Sequence, residues 1–246
     1  MIVIENKQFD TNVTATITSC GRFDLLKRTI ESFIRTAGTG VNIKVYDDSA
    51  VKEQQEKIIN TYGKTFDLYL GEERKGQAFA LDFLYSKVET PWLFHMEDDW
   101  EFIKEGYLQE SVKVLNADSS IMIVGLAILD LYFQVGAAVN LHEIGGVKVY
   151  DHPRWRIDER HGYWHGWIGS PNLKRKTDID RLPKFSSVLN EEVWDRDVFG
   201  KSGAKSVWLE KCYVRHIGDG RTTFYNGSVD MVVRNWKIPG VINNGR

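Results

Sequence analysis

Three consecutive carboxylates, Glu97, Asp98 and Asp99, close a short run of large apolar residues, Trp92 to Met96. Adjacent carboxylates repel one another, so their position at the end of a buried strand indicates a positive charge beside them. Divalent cations such as Mn2+ or Mg2+ bind carboxylate oxygens and often complete their shell with substrate phosphates. The alternative is a solvated acidic turn with a helix that begins at Asp99.

Strand and helix patterns alternate along the first half of the chain and place these acids. Short apolar or branched runs predict the strands, and apolar residues at helical spacing predict the helices between them. Such alternation implies an α/β fold with a largely parallel sheet covered by helices on both faces. The predicted strands are Val13–Ser19, Ile43–Tyr46, Phe66–Leu70, Trp92–Met96 and Ile121–Leu129, and the predicted helices are Arg22–Thr36, Val51–Tyr62, Gly76–Val88 and Ile103–Asn116.

The predicted strands of this half end in polar residues. In open α/β sheets, ligands bind at the carboxyl ends of the strands. Four such ends are suited to that role, and their coincidence favours a ligand site over a solvated turn. They are Thr18-Ser19, Asp47-Asp48, Gly71-Glu72 and Glu97-Asp98-Asp99.

Regular alternation stops after residue 129. From Asp130 to Tyr163 the pattern is typical of antiparallel strands, and Gly145-Gly146 predicts the turn of a hairpin. Residues 154 to 173 are rich in aromatic side chains. The remaining predicted elements are hairpin strands Val139–His142 and Val147–Tyr150, a helix Glu191–Phe199, and short strands Val207–Leu209 and Tyr213–Arg215.

Length and composition limit the classes of protein that fit. The 246 residues suffice for one domain with an elaborated second half. A formal charge of -2 gives no basic field for nucleic acid. The two cysteines, Cys20 and Cys212, lie far apart, which fits a reducing, cytoplasmic setting better than a disulfide framework. Because no targeting leader and no run of about 18 apolar residues occurs, we expect a soluble protein without a transmembrane segment.

Taken together, the motifs resemble the nucleotide-sugar glycosyltransferases of the A-type (GT-A) fold, most closely the inverting enzymes of family 2. Each motif alone is weak, and their order and spacing across roughly residues 13 to 220 carry the resemblance. It implies one domain over 1–246, with a Rossmann-like, mostly parallel sheet and a small antiparallel C-terminal elaboration. Residues 1–129 would be the nucleotide-sugar-binding half and 130–246 the acceptor-binding half. The matching segments are Thr18–Arg22, Val45–Ser49, Gly76–Ala78, Glu97–Trp100, Gly169–Leu173, Asn190–Trp194 and Tyr213–His216.

The resemblance also implies the residues that hold the nucleotide sugar. In the family, the acidic turn after the second strand contacts the base, which points to Asp47 and then to Asp48. Because a carboxylate can accept a hydrogen bond from the uracil imide, a uridine donor is the simplest case. The alternative is an Asx turn that leads into a helix. The full set implied for the nucleotide sugar is Thr18, Ser19, Arg22, Asp47, Asp48, Lys75, Gly76, Glu97, Asp98 and Arg221.

Two turns in this set offer positive charge or N–H groups to a diphosphate. The turn Ser19–Arg22 presents backbone N–H groups and a guanidinium at the start of a helix, where anions are favoured. Lys75 and Gly76 lie beside the next helix start, although a solvated basic turn explains Lys75 equally well. Arg221 would contact the diphosphate from a closing loop.

The acidic cluster takes specific roles under the same resemblance. The family motif usually reads Asp-x-Asp, so Glu97 and Asp98 would face the ribose and Asp99 the metal. The glutamate at the first position leaves this division of roles open. His216 matches a late histidine that completes the metal shell or meets the diphosphate, while an ordinary surface histidine is the alternative.

The resemblance places the catalytic base at Glu192, with Glu191 as second choice. A glutamate can act as general base if its surroundings bring its pKa towards neutrality. The alternative is that both acids only start a helix, where negative charge is favourable. Among the nearby aromatics, Trp164 and Trp167 are the candidates to stack on an acceptor sugar, although core packing explains such residues as often.

These assignments predict a metal-dependent inverting transferase that moves a sugar from a nucleoside diphosphate donor to a hydroxyl of a carbohydrate or related acceptor. A sugar-phosphate nucleotidyltransferase shares the layout, but it needs a glycine-rich loop with arginine after the first strand. The turn Ser19–Arg22 has a single glycine. A nucleotide-sugar or glycan-binding module without catalysis is the remaining alternative.

Overall fold

A central sheet organises the fold of this chain. The computed structural model describes residues 1–4, 12–38, 40–126, 140–152, 155–158, 162–169, 171–188, 191–218 and 221. The strands are β1 Ile2–Ile4, β2 Val13–Ser19, β3 Asn42–Asp47, β4 Asp67–Leu70, β5 Trp92–Glu97, β6 Trp100–Phe102, β7 Ile121–Gly125, β8 Leu141–Ile144, β9 Val147–Asp151, β10 Trp155–Asp158, β11 Gly162–Trp164, β12 Asn172–Arg175, β13 Lys205–Leu209 and β14 Val214–His216. The longer helices are α1 Phe23–Ala37, α2 Lys52–Tyr62, α3 Gln77–Ser86 and α4 Tyr107–Ala117. Shorter helical segments are Lys176–Ile179, Phe185–Ser187, Glu191–Trp194, a π-helical Asp195–Phe199, and Gly200–Ser202.

Within the described residues, ten strands form the main sheet in the order β1-β4-β3-β2-β5-β12-β7-β13-β9-β8. The neighbours β4, β3, β2 and β5 are parallel, and so are β7 and β13. Strand β12 pairs antiparallel with both β5 and β7, so those two strands run in the same direction. Two small antiparallel pairs, β10 with β11 and β6 with β14, lie outside this sheet. The predicted fold class is confirmed.

Helices cover both faces of the sheet, because successive strand residues point to opposite sides. One apolar cluster includes Leu26 and Phe33 of α1, Ile58 of α2 and Val114 of α4. The other cluster joins α3 to an aromatic group that contains Trp167. By alternation along β5, His95 and Glu97 face the α3 side together with buried Leu93.

The sequence analysis did not predict strands β1, β6 and β12. One alternative considered for the acidic cluster was a helix that begins at Asp99. That alternative is wrong, because β6 follows Asp99 and α4 begins only at Tyr107. A three-residue strand is too short to show a clear period. Strand β12 reads Asn-Leu-Lys-Arg, and nothing in that composition predicts a position in the middle of a sheet.

The antiparallel hairpin expected near Gly145-Gly146 is confirmed as β8 and β9. Both glycines have positive φ angles, 59° and 77°, which a glycine turn accommodates readily. Its predicted start at Val139 lies outside the described residues, as do 127–129 of the predicted strand Ile121–Leu129. The predicted helix Glu191–Phe199 is helical throughout, but its second part is a π-helical turn. No helix among the described residues is long and apolar enough to cross a membrane.

A buried ion pair links β3 to β4 and gives a testable contribution to stability. Lys44 and Asp67 are 2% and 6% exposed, and Lys44 Nζ lies 2.5 Å from Asp67 Oδ2. Lys44→Met removes the cation that balances a buried carboxylate, so we expect the free energy of unfolding to fall by about 3 to 5 kcal/mol. Urea unfolding measures this change.

The exposed pair Glu53–Lys57 on α2 supplies the matched control. Its Nζ–Oε1 distance is 2.7 Å, but both side chains are largely exposed to solvent. Lys57→Met should therefore cost less than about 1 kcal/mol. Equal losses in the two variants would contradict the prediction.

Candidate active site

The carboxyl ends of β2, β3 and β5 meet at one edge of the sheet. Ser19 lies opposite Asp47 in the β2–β3 register, and Thr18 lies opposite Glu97 in the β2–β5 register. The fourth predicted end, Gly71-Glu72, follows β4, and the N–H of Gly71 donates to the carbonyl oxygen of Asp47 at 2.9 Å. All four polar strand ends predicted from the sequence are therefore neighbours along the sheet. The edge gathers hydroxyl groups and carboxylates, which are the groups expected around a ligand at this place in the fold.

Asp98 is fully buried and joins the end of β5 to the turn between β2 and α1. Its Oδ2 accepts hydrogen bonds from Ser19 Oγ at 2.9 Å and Arg22 Nε at 3.3 Å, and Oδ1 pairs with the same guanidinium. Burial raises the pKa of Asp98 to about 6, although Arg22 acts in the opposite direction. The Arg22 side chain thus balances a carboxylate that would otherwise be costly to bury.

The two carboxylate oxygens of Asp99 differ in their contacts. Oδ2 lies 3.1 Å from Arg22 Nη1 and 3.4 Å from His216 Nε2. Oδ1 is buried and accepts no hydrogen bond from the described residues. Burial favours a higher pKa for Asp99, but the hydrogen bond to His216 and the charge of Arg22 outweigh it and lower the pKa. Asp99 therefore favours the ionised form, and its Oδ1 has no hydrogen-bond donor among the described residues.

The small β6–β14 sheet explains how His216 reaches Asp99. In this pair His216 lies opposite Trp100, which is the residue that follows Asp99 in the sequence. The backbone N–H of Ile217 also donates to the carbonyl oxygen of Asp99 at 2.9 Å. A Cβ at Gly218 would overlap the Asp99 side chain, so the close approach of this segment needs glycine.

Asp99 and His216 fit a divalent cation as a pair of protein ligands. Among the described residues, no group of three histidine, cysteine, aspartate or glutamate side chains is placed to hold an ion alone. Mg2+ and Mn2+ sites in phosphate chemistry need only one or two protein ligands, because the phosphates and water supply the rest. Oδ1 of Asp99, which accepts no hydrogen bond from the described residues, suits such a site.

The side chain of Glu97 faces the side of the sheet that α3 covers, as His95 does. Its Oε1 accepts a hydrogen bond of 2.7 Å from Nε2 of Gln77, the first residue of α3. Burial raises the pKa of Glu97 to about 7, with further contributions from Asp99, Glu191 and Asp98. The acidic cluster and the predicted base segment are therefore close enough to influence one another electrostatically.

Asp47 and Asp48 hold the loops that surround the edge of the sheet. Asp47 accepts hydrogen bonds from the backbone N–H of Gly21 at 3.0 Å and of Ser49 at 3.1 Å. Asp48 accepts the N–H groups of Lys75 and Gly76 at 2.8 and 2.7 Å. Both carboxylates are buried, and their oxygens bind chain amides. A direct contact with the base stays a prediction.

Removing the Asp48 carboxylate tests its role in holding the loop. Asp48→Ala leaves the Lys75 and Gly76 amides without their acceptor. For the nucleotide-sugar donor that the resemblance implies, we therefore expect KM to rise about tenfold or more with a smaller change in kcat. Steady-state kinetics at varied donor concentration measure both constants. Glu73→Ala is the control, because Glu73 is exposed in the same loop and contacts the Lys75 side chain at 3.3 Å. A KM increase of equal size in the control would contradict the prediction.

Glu191 and Glu192 lie in the short helix Glu191–Trp194. Glu191 Oε1 accepts a hydrogen bond of 3.0 Å from the indole Nε1 of Trp167. The side chain of Glu192 lies outside the described part of the structure. The sequence therefore located the helix, while the choice between the two glutamates as base stays open.

Trp167 positions Glu191 and is itself fully enclosed. Only 1% of its surface is exposed, and its ring packs 4.7 Å from Trp194 and 5.0 Å from Phe185 between centroids. It therefore has no free ring face on which a sugar could stack, contrary to the expectation for this residue. The side chain of Trp164 is outside the described residues, so its role stays a prediction.

Asp195 is a positioning residue that the sequence analysis did not select. It is fully buried and accepts the backbone N–H groups of His165 at 2.5 Å and Trp167 at 2.7 Å. Burial raises its pKa despite these hydrogen bonds. The only sequence signal is an aspartate directly after Trp194 in an aromatic-rich segment, which is too weak to predict the contact.

Arg221 lies beside the start of α1. Its guanidinium binds the Asp24 carboxylate at 2.5 and 3.0 Å, and its carbonyl oxygen accepts a hydrogen bond of 2.9 Å from Arg22. Lys75 Nζ lies 4.9 Å from the Phe79 ring centroid and is partly exposed. Both cations are near the acidic edge, and their contact with a diphosphate stays a prediction.

The sheet is mixed, with β4, β3, β2 and β5 parallel, acidic residues at the ends of adjacent strands and a late histidine beside the last acid. These are the features expected of the nucleotide-sugar glycosyltransferases with the A-type fold. The family model described as glycosyl transferase family 2 matches residues 14–168, which is more than half of the chain. This chain belongs to glycosyltransferase family 2.

Solved structures of glycosyltransferases share the fold. The mannosyltransferase PcManGT from Pyrobaculum calidifontis, in complex with GDP-Man and Mn2+, aligns with a TM-score of 0.61 at 15% identity over 87% of this chain. S. aureus TarS 1-349 in complex with UDP-GlcNAc aligns with a TM-score of 0.53 at 11% identity over 86% of this chain. The alignments cover 61% and 62% of those two chains, so this chain spans about three fifths of their lengths. No curated protein matches the sequence.

Proposed function

We propose that this glycosyltransferase is a metal-dependent, inverting enzyme that transfers a sugar from a nucleoside diphosphate donor, in the simplest case a UDP-sugar, to a hydroxyl of a carbohydrate or related acceptor. The observation that carries the proposal is Asp99, directly after β5: its buried Oδ1 accepts no hydrogen bond from the described residues, and its Oδ2 lies 3.4 Å from His216 Nε2. The nucleotide-sugar complexes of PcManGT and TarS support the donor class.

Residues 1–129 would bind the donor and residues 130–246 the acceptor. Strand β12 of the second half lies between β5 and β7 of the first half, so the two halves share one sheet. This arrangement supports a single domain with a site at the junction of its halves. Cys20 and Cys212 form no disulfide with each other, which is compatible with the cytoplasmic setting proposed from the sequence.

On the donor side, Asp99 and His216 would hold Mn2+ or Mg2+, with Glu97 and Asp98 near the ribose. A bound cation would supply Lewis-acid stabilisation of charge on the leaving diphosphate. Arg22, which contacts both aspartates, would keep the negative cluster balanced as the donor binds. Asp47 and Asp48 would shape the base-binding loop through their bonds to Gly21 and Lys75–Gly76.

On the acceptor side, Glu192 or Glu191 would take the proton from the attacking hydroxyl. The hydroxyl oxygen forms a bond to the anomeric carbon while the bond from that carbon to the diphosphate oxygen breaks, so a single displacement inverts the anomeric centre. The proton remains on the glutamate and then passes to solvent. A general base of this kind contributes about 10^2- to 10^4-fold to the rate.

A donor panel tests the proposal in two stages. First, thermal unfolding is measured with GDP- and UDP-sugars, with and without Mn2+, because a ligand that binds the folded form raises the melting temperature. Second, the donors that bind are assayed for nucleoside diphosphate release with a panel of sugar acceptors. Metal-dependent stabilisation and release of the nucleoside diphosphate are expected.

The competing functions give different results in the same assay. Pyrophosphate release from a nucleoside triphosphate and a sugar phosphate would indicate a nucleotidyltransferase. Donor binding without cleavage under every metal and acceptor condition would indicate a binding module. Either result would overturn the proposed transfer reaction.

A further inference from the structure

Lys174 is a lysine enclosed in the middle of the main sheet. It lies on β12 and is 0% exposed. Its Nζ donates a hydrogen bond of 2.8 Å to the phenol oxygen of Tyr85, which is itself buried on α3. The same nitrogen is 4.4 Å from the ring centroid of Trp167 and 4.9 Å from that of Tyr85. The ammonium group is therefore held by a phenol and by aromatic ring faces.

Burying a lysine amine in this position costs free energy, because the charged form loses its hydration. Burial lowers the pKa of Lys174 well below its usual value, and the charge of Glu191 acts in the opposite direction. Lys44, also buried in the sheet, has an aspartate in direct contact, whereas the hydrogen bond of Lys174 goes to a neutral phenol. Burying a cation in this way requires electrostatic compensation, and aromatic faces supply only part of it.

Trp167 connects Lys174 to Glu191. One ring face of the indole lies over the ammonium group, while the indole N–H donates to Glu191 Oε1 at 3.0 Å. Asp195 fixes the backbone of Trp167 by accepting its N–H. A continuous path of aromatic and hydrogen-bonding contacts thus runs from the sheet to the first residue of the helix Glu191–Trp194.

The charged and titratable groups around this path come from several elements. On β5, His95 is buried beside Thr16, whose Oγ1 is 3.0 Å from Nδ1, and burial together with Lys174 lowers the pKa of His95. On α3, the Tyr85 phenol has its pKa raised by burial and by the charges of Glu191, Glu97 and Asp82. His95 and Tyr85 are therefore neutral near pH 7. For Lys174, burial favours the neutral form and the negative charge of Glu191 favours the protonated form. We infer that Glu191 keeps Lys174 protonated, so that a positive charge faces Glu191 from the sheet.

We propose that Lys174 is a positioning residue for sugar transfer: with Trp167, it anchors Glu191 and thereby fixes the short helical turn that carries both base candidates. This inference rests on the proposed transferase function and extends it to the acceptor side of the site. Because Lys174 is fully buried, we expect it to make no direct contact with donor or acceptor. It acts through Trp167 on the position and the charge environment of Glu191, and thereby on the backbone of the turn that also carries Glu192.

The test compares Lys174→Met with Lys174→Arg, using the nucleotide sugar and acceptor that the donor panel identifies. Methionine preserves most of the volume but removes the charge, so we expect kcat to fall about tenfold to a hundredfold with donor binding changed less than about twofold. Removing a nearby cation also raises the pKa of a carboxylate base. The acidic limb of the kcat–pH profile should therefore move to higher pH in Lys174→Met, and Lys174→Arg should restore the limb in part.

Two further variants separate positioning from a general loss of stability. Lys44→Met also removes a buried lysine from the sheet. Lys44 lies on β3, which β2 and β5 separate from the strand β12 that carries Lys174, so this variant should leave the pH profile unchanged. If Lys174→Met does not fold, Tyr85→Phe removes only the acceptor of the lysine hydrogen bond and should shift the pH profile in the same direction by a smaller amount.

The possible outcomes distinguish the two proposals. A wild-type chain that releases no nucleoside diphosphate with any donor refutes the transferase function and this inference with it. An active wild type with unchanged kcat and pH profile in Lys174→Met, or in Tyr85→Phe where the first variant is unfolded, overturns the role of Lys174 alone. A loss of kcat in Lys174→Met without a shift of the profile and without rescue by arginine does the same.

Discussion

Glu192→Gln is expected to lower kcat for sugar transfer by about 10^2- to 10^4-fold, because glutamine cannot accept the proton of the acceptor hydroxyl. The substitution is nearly isosteric, so the binding of donor and metal should change by less than about twofold. Single-turnover assays at saturating donor, with nucleoside diphosphate binding measured separately, resolve the chemical step from binding.

Glu191→Gln is the matched variant for this prediction. Its amide oxygen can still accept the Trp167 indole hydrogen bond, so the position of the helical turn should be largely retained. If Glu192 is the base, Glu191→Gln should lose less than about tenfold in kcat. The opposite order of losses would assign the base to Glu191, and wild-type rates in both variants would remove the base from this helix.

The fold of the first half was predictable because each of its main elements has a local sequence pattern. The residues of α1 recur at helical spacing, and β2, β3 and β5 are short runs with a clear boundary. The pairing of these strands follows general rules for βαβ units. Consequently, the meeting of Ser19, Asp47 and Glu97 at one edge of the sheet could be expected from the sequence alone.

The second half was harder to predict because its strands depend on distant partners. Strand β12 takes its place between β5 and β7 through backbone pairing, and its buried Asn172 and Lys174 give it a polar composition. Periodicity reports which face of an element is apolar, so it does not identify a buried lysine stabilised by two aromatic rings. The contact from Lys174 through Trp167 to Glu191 could only come from the three-dimensional arrangement.

In the acidic cluster, too, some features could be predicted from the sequence and others depend on the three-dimensional arrangement. Its location at the end of a strand could be predicted, and the expected proximity of His216 to Asp99 agrees with the distance of 3.4 Å. The pairing of Arg22 with both Asp98 and Asp99 could not be predicted, because it depends on the direction of a side chain at a turn. The two adjacent acids therefore differ: both oxygens of Asp98 accept hydrogen bonds from the chain, while Asp99 Oδ1 accepts none from the described residues.

Asp99→Asn is expected to reduce donor turnover in Mn2+ by about 10^3-fold or more, because the loss of a charged ligand removes several kcal/mol of stabilisation of the leaving diphosphate. Asparagine keeps the shape of the side chain and removes its charge. The stabilisation of the folded chain by Mn2+ with nucleoside diphosphate should disappear in parallel, which thermal unfolding detects without any turnover.

Glu101→Gln is the control for that substitution, since Glu101 lies two residues further along the chain, in β6. It pairs with Arg28 and Arg215 at 3.7 and 3.5 Å and makes no described contact with Asp99. Removing its charge changes the net charge by the same amount as Asp99→Asn, so any general electrostatic effect on the anionic donor appears in both variants. A loss confined to Asp99→Asn would arise from the specific site, whereas metal-stimulated turnover that survives in Asp99→Asn would place the cation elsewhere.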